Sequence, residues 1–243
     1  MKRIILIITN IILITACTTA KSGEIDHSIL DKLLKENVND KGMIDYKAFQ
    51  NNKIFEKYLN QIASADISEL NNIEKLAFFI NAYNALTIKN VLNHYPINSP
   101  MDVEGFFKKK KFAVAGMEIT LDKLEYDYVL PINSVLPHFG LVCAAVSCPK
   151  LLKKAYTSKT VLHQLEENAK AFLNDKTKNR LDREAKVLYL SSIFKWFKKY
   201  FEQEYSSLIE TAKMFLNDDD KKFLKENEVE IKFIKYNWKL NTQ

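Results

Sequence analysis

The sequence predicts an α+β fold, a helix-rich single domain around a small, mainly antiparallel sheet. Three observations carry this. Apolar residues recur at helical spacing along most of the chain, while only four or five short segments read as strands. One stretch, Leu76-Ala77-Phe78-Phe79-Ile80-Asn81-Ala82-Tyr83-Asn84-Ala85-Leu86, is apolar on almost every side, so its helix belongs in the middle of the fold. No Gly-rich phosphate loop follows any strand, which argues against a doubly wound nucleotide fold and leaves no cofactor to expect.

The chain opens on Met1-Lys2-Arg3, an apolar run over 4–14, then Thr15-Ala16-Cys17. Two cations, an apolar core too short to span a bilayer comfortably, and small residues before a cysteine read as an export signal over 1–16. Its ending, Ile14-Thr15-Ala16-Cys17, resembles the bacterial lipobox, which implies lipidation of Cys17 and a mature chain tethered to a membrane. An uncleaved helix and an ordinary signal peptide are the competing readings. A lipid on Cys17 places the domain in the cell envelope, facing the periplasm or the exterior, with the membrane as its partner. Residues 17–26 are then a polar leash of about 30 Å when extended.

Residues 27–243 form the domain. Hydrophobic content of 47% and charged content of 27% are those of a globular protein with a sizeable core, and 5 Gly with 5 Pro leave little room for linkers. The formal charge of +6 includes Lys2 and Arg3 of the leader. That mild excess on an exported chain fits an anionic membrane surface and not nucleic acid.

Amphipathic stretches over 27–37 and 46–62 flank the turn Asn39-Asp40-Lys41-Gly42. The central helix runs near 73–95, with Asn71 as N-cap, Glu74 closing a capping box, and Pro96 stopping it. A loop and a hairpin around Phe112-Ala113-Val114-Ala115 fill 96–119, and a short helix covers 121–129. The small apolar run 138–146 reads as a buried strand. Helix follows over 158–174, strand over 180–190, helix over 193–201 capped by Ser191 or Ser192, helix over 204–216 and 219–227, and a last strand over 229–234.

Four segments in this order form a recognisable pattern: Leu76-Ala77-Phe78-Phe79-Ile80-Asn81-Ala82-Tyr83-Asn84-Ala85-Leu86-Thr87, Thr120-Leu121-Asp122-Lys123-Leu124-Glu125, His138-Phe139-Gly140-Leu141-Val142-Cys143-Ala144-Ala145-Val146-Ser147-Cys148-Pro149, and Tyr236-Asn237-Trp238-Lys239-Leu240-Asn241. The chain resembles the domain-of-unknown-function family 547 from about residue 45 to 241. The resemblance implies a domain and a site but no activity. In the family the segment with Glu125 commonly continues with His, and Arg follows; here Tyr126 follows, then Asp127-Tyr128-Val129-Leu130-Pro131.

The site residues suggest thiol chemistry. Pro149 suits the first position of a helix, which makes Cys148 its N-cap. A sulfur there faces free N–H groups, the positive helix end and Lys150, Lys153 and Lys154, all favouring thiolate. Cys148 is then the candidate nucleophile, His138 the base if the chain folds back after Val146, and Glu125 or Asn81 the group that orients the imidazole. The alternatives are a structural cap, or a disulfide with Cys143, which requires a sharp turn between the two cysteines. Cys143 otherwise reads as an inert small hydrophobe at the end of a strand. Asn81 and Asn84 share one face of the central helix, where each either binds loop backbone or orients a substrate.

His138, Cys143 and Cys148, with Glu125 or His163, offer zinc-type donors, but their spacing lacks the C-x-x-C knuckle and no metal is expected. Lys108-Lys109-Lys110-Lys111 reads as a solvated hairpin tip that could also press on anionic headgroups. Two functions compete: a thiol-dependent hydrolase or acyl transferase acting on peptide or amide bonds, and a non-catalytic ligand-binding or scaffold lipoprotein. A Cys143–Cys148 disulfide would decide for the second.

Overall fold

The computed structural model describes residues 25–243. The expected export signal over 1–16, Cys17 and the expected tether as far as residue 24 lie outside the described residues. The fold is α+β. Helices α1 (Ser28–Asn37), α2 (Tyr46–Phe49) and α3 (Lys53–Ala63) pack around the long helix α4 (Asn72–His94). The break between α2 and α3 falls where Asn52 caps α3, its Oδ1 accepting from the N–H groups of Ile54 and Phe55.

α4 forms where its caps and apolar surround demand. Asn71 Oδ1 accepts from the N–H groups of Ile73 and Glu74, and Glu74 returns a bond from the Asn71 N–H at 2.8 Å. Every residue from Leu76 to Ile88 is buried, so the helix is core on all sides. Among the described residues no helix is long and apolar enough to cross a membrane.

Strands β1 (Lys111–Val114) and β2 (Met117–Thr120) form a hairpin whose turn residues, Ala115 and Gly116, both have positive φ. Their N–H groups bond the carbonyls of Ile62 and Ala63 at 2.8 Å, which docks the tip on the end of α3. The lysine run therefore does not occupy the hairpin tip: Lys108, Lys109 and Lys110 lie in the loop before it and Lys111 opens β1. Thr120 caps α5 (Leu121–Lys123), which continues as a π-helical turn, Leu124–Val129.

From Leu136 to Tyr156 the chain departs from expectation. Leu136–Phe139 is a 3-10 turn with Pro137 near its start, and 140–148 is irregular rather than a strand. No helix follows Pro149; residues 149–157 run as loop until α6 (Val161–Leu173). The physical reason is that helix side chains satisfy this backbone. Asn84 of α4 donates to the Gly140 carbonyl and accepts from the Val142 N–H, both at 2.9 Å. Asn81 does the same for Tyr156, at 2.8 and 2.9 Å. Asn168 of α6 donates to the carbonyls of Phe139 and Lys150. With its polar groups paired this way, an apolar segment can be buried without secondary structure of its own.

The second sheet joins β3 (Arg180–Asp182), β4 (Val187–Ser191) and, after a crossover through α7 (Ser192–Trp196), α8 (Lys198–Tyr205), α9 (Leu208–Phe215) and α10 (Asp218–Glu226), the strand β5 (Glu230–Ile234). β3–β4 is antiparallel and β4–β5 parallel. Ser191 is the cap of α7, while the Ser192 hydroxyl donates to the Ile234 carbonyl. The tail then returns across the molecule. Leu240 bridges Ala145, Thr242 bridges Ile44, and the Tyr46 hydroxyl donates to Asn241 at 2.7 Å. That return sets Tyr236 and Trp238 against the 138–148 segment.

Candidate functional site

Four elements meet around one cavity of about 170 Å³. The π-helical turn supplies Glu125 and Tyr126, the 3-10 turn His138, α7 and the residue after it Trp196 and Phe197, and the tail Tyr236 and Trp238. In a π turn each carbonyl bonds the N–H five residues on, as Glu125 O does with Leu130 N at 3.0 Å. Glu125 sits inside that irregularity, largely enclosed, its side chain 14% exposed, beside His138 and with Tyr83 of α4 in the same lining. Three rings close the other wall, with Tyr236–Trp238 centroids 4.6 Å apart and Trp196–Tyr236 4.7 Å apart.

His138 and Glu125 are brought together as the sequence suggested, Nδ1 to Oε1 3.9 Å. That is too long for a hydrogen bond. Burial pushes the Glu125 carboxyl up to about 7, reinforced by the neighbouring negative charge of Asp122. Burial drives His138 down to about 3, opposed only by a hydrogen bond to the Ser134 backbone. Both shifts favour the neutral forms, a protonated carboxyl beside an unprotonated imidazole. The imidazole is neutral, stacks on Phe197 at 3.8 Å between centroids, and is 4% exposed. Its Nε2 has no hydrogen-bond partner among the described residues.

Cys143 and Cys148 also line the cavity, joined to each other as a disulfide with Cα atoms 6.3 Å apart. The sharp turn this needs is present. Ala144 takes a positive φ of 60°, and the Cys148 N–H closes back on the Ala145 carbonyl at 3.0 Å. Tied in this way, Cys148 has no thiolate. It also caps no helix, so the N–H groups expected after Pro149 are absent as oxyanion donors. The Tyr236 hydroxyl instead approaches both sulfurs, 3.1 Å from Cys143 and 3.2 Å from Cys148.

Asn81 and Asn84 do not line the cavity. Both amides are engaged by loop backbone, the structural one of their two readings. His163 lies on α6 beside a separate surface depression, apart from His138 and the cysteines. Among the described residues no group of three His, Cys, Asp or Glu side chains could hold a metal ion. Lys108 and Asp122 stand at the rim, 3.8 Å apart.

The aromatic wall was not read from the sequence. Trp196 and Phe197 look like ordinary members of an amphipathic helix, and Tyr236 and Trp238 entered only through the family resemblance. The usable signal was placement: both tryptophans of the chain lie in its last fifth, near a disproportionate share of its tyrosines and phenylalanines.

Residues 67–173 match the model of a family described as "Protein of unknown function, DUF547". The matched segment carries Glu125, His138, Cys143 and Cys148; Trp196, Phe197, Tyr236 and Trp238 lie beyond it. Neither the curated proteins nor the solved structures include a match to the chain.

Proposed function

We propose that this chain is an envelope lipoprotein whose domain binds a small, mainly aromatic or apolar ligand carrying a hydrogen-bond donor. One observation carries the reading: a buried nitrogen without a partner on His138, a residue that lines a cavity walled by rings. Leaving such an atom unpaired costs about 1–3 kcal/mol, a cost that a donor on the ligand removes on binding. The protonated Glu125 beside it offers a donor of its own, so a ligand with adjacent donor and acceptor meets both. The volume, about 170 Å³, suits one substituted ring; an apolar cavity of roughly 150 Å³ accepts benzene. The lipid tether is supported by the lipobox-like Ile14-Thr15-Ala16-Cys17.

The thiol-dependent hydrolase or acyl transferase requires a free Cys148 thiolate and helix-end donors. With the two cysteines joined, the alternative takes precedence.

Trp196 and Trp238 are the only tryptophans in the chain and both line the cavity, so emission excited selectively at tryptophan reports on this site. Titration of the full-length protein with small phenols and aromatic amides should give a saturable change in emission. His138→Phe should weaken it by about tenfold, the worth of one hydrogen bond to a buried acceptor. Equal affinity in wild type and His138→Phe, or no response to any donor-bearing ring compound, would dispose of the reading. Incorporation of labelled palmitate, lost in Cys17→Ser, tests the anchor.

A further inference from the structure

The disulfide carries more than a staple requires. The Cys143 N–H donates to Cys148 Sγ at 3.0 Å, and the Tyr236 hydroxyl, 3.1 Å from Cys143 Sγ, is also within donating distance of Cys148 Sγ at 3.2 Å. A sulfur in a disulfide is a poor acceptor, so two good donors aimed at one sulfur gain little there. The same two donors on a thiolate make charge-assisted bonds, roughly twice as strong as neutral ones. The two sulfurs also differ in access. Cys143 is half-buried at the cavity wall, and Cys148 is 2% exposed.

We propose that Cys143–Cys148 is a thiol-exchange site, in which an incoming thiolate attacks Cys143 Sγ and Cys148 leaves as a thiolate held by the Cys143 N–H and the Tyr236 hydroxyl. The bond formed is between the substrate sulfur and Cys143; the bond broken is Cys143–Cys148, whose electron pair stays on Cys148. A second substrate thiolate then attacks the substrate sulfur of the mixed disulfide and expels Cys143. In sum two substrate thiols become a disulfide, the protein disulfide becomes two thiols, and the two substrate protons reach the cysteines through water. The substrate class is a small thiol or dithiol with an apolar body that enters the ring-lined cavity. Exchange is favoured where the leaving thiol has a low pKa, which is the effect of the two donors. This inference does not depend on the ligand-binding reading, which concerns His138 in the oxidised protein.

The test treats native full-length protein with excess benzyl mercaptan, quenches with acid, alkylates at low pH and maps each cysteine by mass spectrometry. The expected product carries the thiol on Cys143 and the alkyl group on Cys148. It should form about tenfold faster than in the same chain unfolded in urea, because a stabilised thiolate leaves faster. Tyr236→Phe, with an unchanged circular dichroism spectrum, should slow exchange about threefold by removing one donor. The pH dependence of the alkylation rate at Cys148 in reduced wild type, mapped by mass spectrometry, should place its pKa below the free value of about 8.5, and this needs no variant. The inference is overturned by an adduct on Cys148, by exchange no faster than in urea, by a folded Tyr236→Phe as fast as wild type, or by an unlowered Cys148 pKa. Should Tyr236→Phe fail to fold, the wild-type map and titration decide.

Discussion

α4 and the segment from Leu136 to Tyr156 are both buried, but they are stabilised by opposite means. α4 satisfies its own backbone through the helix ladder and closes its first turn with neighbours in sequence, Asn71 and Glu74. The 136–156 segment has few bonds of its own and takes the rest from asparagines 56 to 75 residues away in α4, from Asn168 of α6 and from the tail backbone at Asn237, Lys239 and Asn241. A helix tolerates loss of one side chain, whereas a segment held by a few amides should fail when one is removed. The site is built on the second kind of structure, with His138, Cys143 and Cys148 all on it.

The largest effect should come from Asn84→Leu, which keeps shape but leaves the Gly140 carbonyl and Val142 N–H buried without partners. Two such groups at about 1–3 kcal/mol each give a loss of about 4 kcal/mol in urea unfolding. Hydrogen exchange at the Val142 amide should rise by more than at amides inside α4. Equal changes in both regions would mean that the clamp is not local and that the contrast drawn here is wrong.

A second way to separate the regions is pH, because Glu125 and His138 carry opposite linkages. Below about 4.5 the Glu125 carboxyl is protonated folded or unfolded; as pH rises through about 7 only the unfolded chain ionises at first, so stability is lost, by about 3 kcal/mol at completion. His138 works the other way. Above about 6.5 it is neutral in both states, and as pH falls toward about 3 only the unfolded chain takes the proton, so stability is again lost. Between about 4.5 and 6.5 the slopes cancel and the wild type should be nearly flat in this contribution. Glu125→Gln should then lose stability as pH falls through that window, and His138→Phe as pH rises, each by up to about 1.4 kcal/mol per unit. Slopes of the same sign in the two variants would break the pairing.

Removing the disulfide should cost less. Cys143 and Cys148 are five residues apart, so their link restricts the unfolded chain by about 2 kcal/mol. Cys143→Ala with Cys148→Ala should show that loss in urea. Because the asparagine clamps and the tail backbone at Asn237, Lys239 and Asn241 still hold the segment, the emission maximum of the native state should be nearly unchanged. A double variant that loses more than Asn84→Leu would place the disulfide, not the amides, as the chief constraint.

These contrasts also explain what could be read from the residues alone. α4, its capping box, the hairpin after Phe112 and the α+β class are local in origin, and periodicity or cap chemistry suffices to find them. Residue types and the family pattern offer Glu125 or Asn81 as the neighbour of His138; the fold sets Glu125 3.9 Å from it and ties Asn81 to the Tyr156 backbone. The run His138 to Val146 reads as a strand because an apolar segment normally needs a ladder; nothing in it records that Asn84 and Asn168 serve instead. Pro149 has the chemistry of a helix start, yet burial of Leu151, Ala155 and Tyr156 and the clamp from Asn81 outweigh that propensity. The aromatic wall joins Trp196 and Phe197 to Tyr236 and Trp238, a proximity that exists only once the tail has crossed the molecule.

The smallest effect should fall on the most legible feature. Asn71→Ala removes the acceptor for the Ile73 and Glu74 N–H groups, and Glu74 loses its reciprocal role in the box. An N-cap of this kind contributes about 1 kcal/mol. The freed N–H groups lie at an exposed helix end, where water replaces the lost acceptor, and the helix stays anchored by its buried turns from Leu76 onward. Only the first turn should fray, seen as faster exchange at Ile73 and Glu74 with no change at Val142. If instead Asn71→Ala loosens Val142 as much as Asn84→Leu does, α4 and the loop unfold as one unit, and the amide clamps are better described as part of the helix than as a separate device.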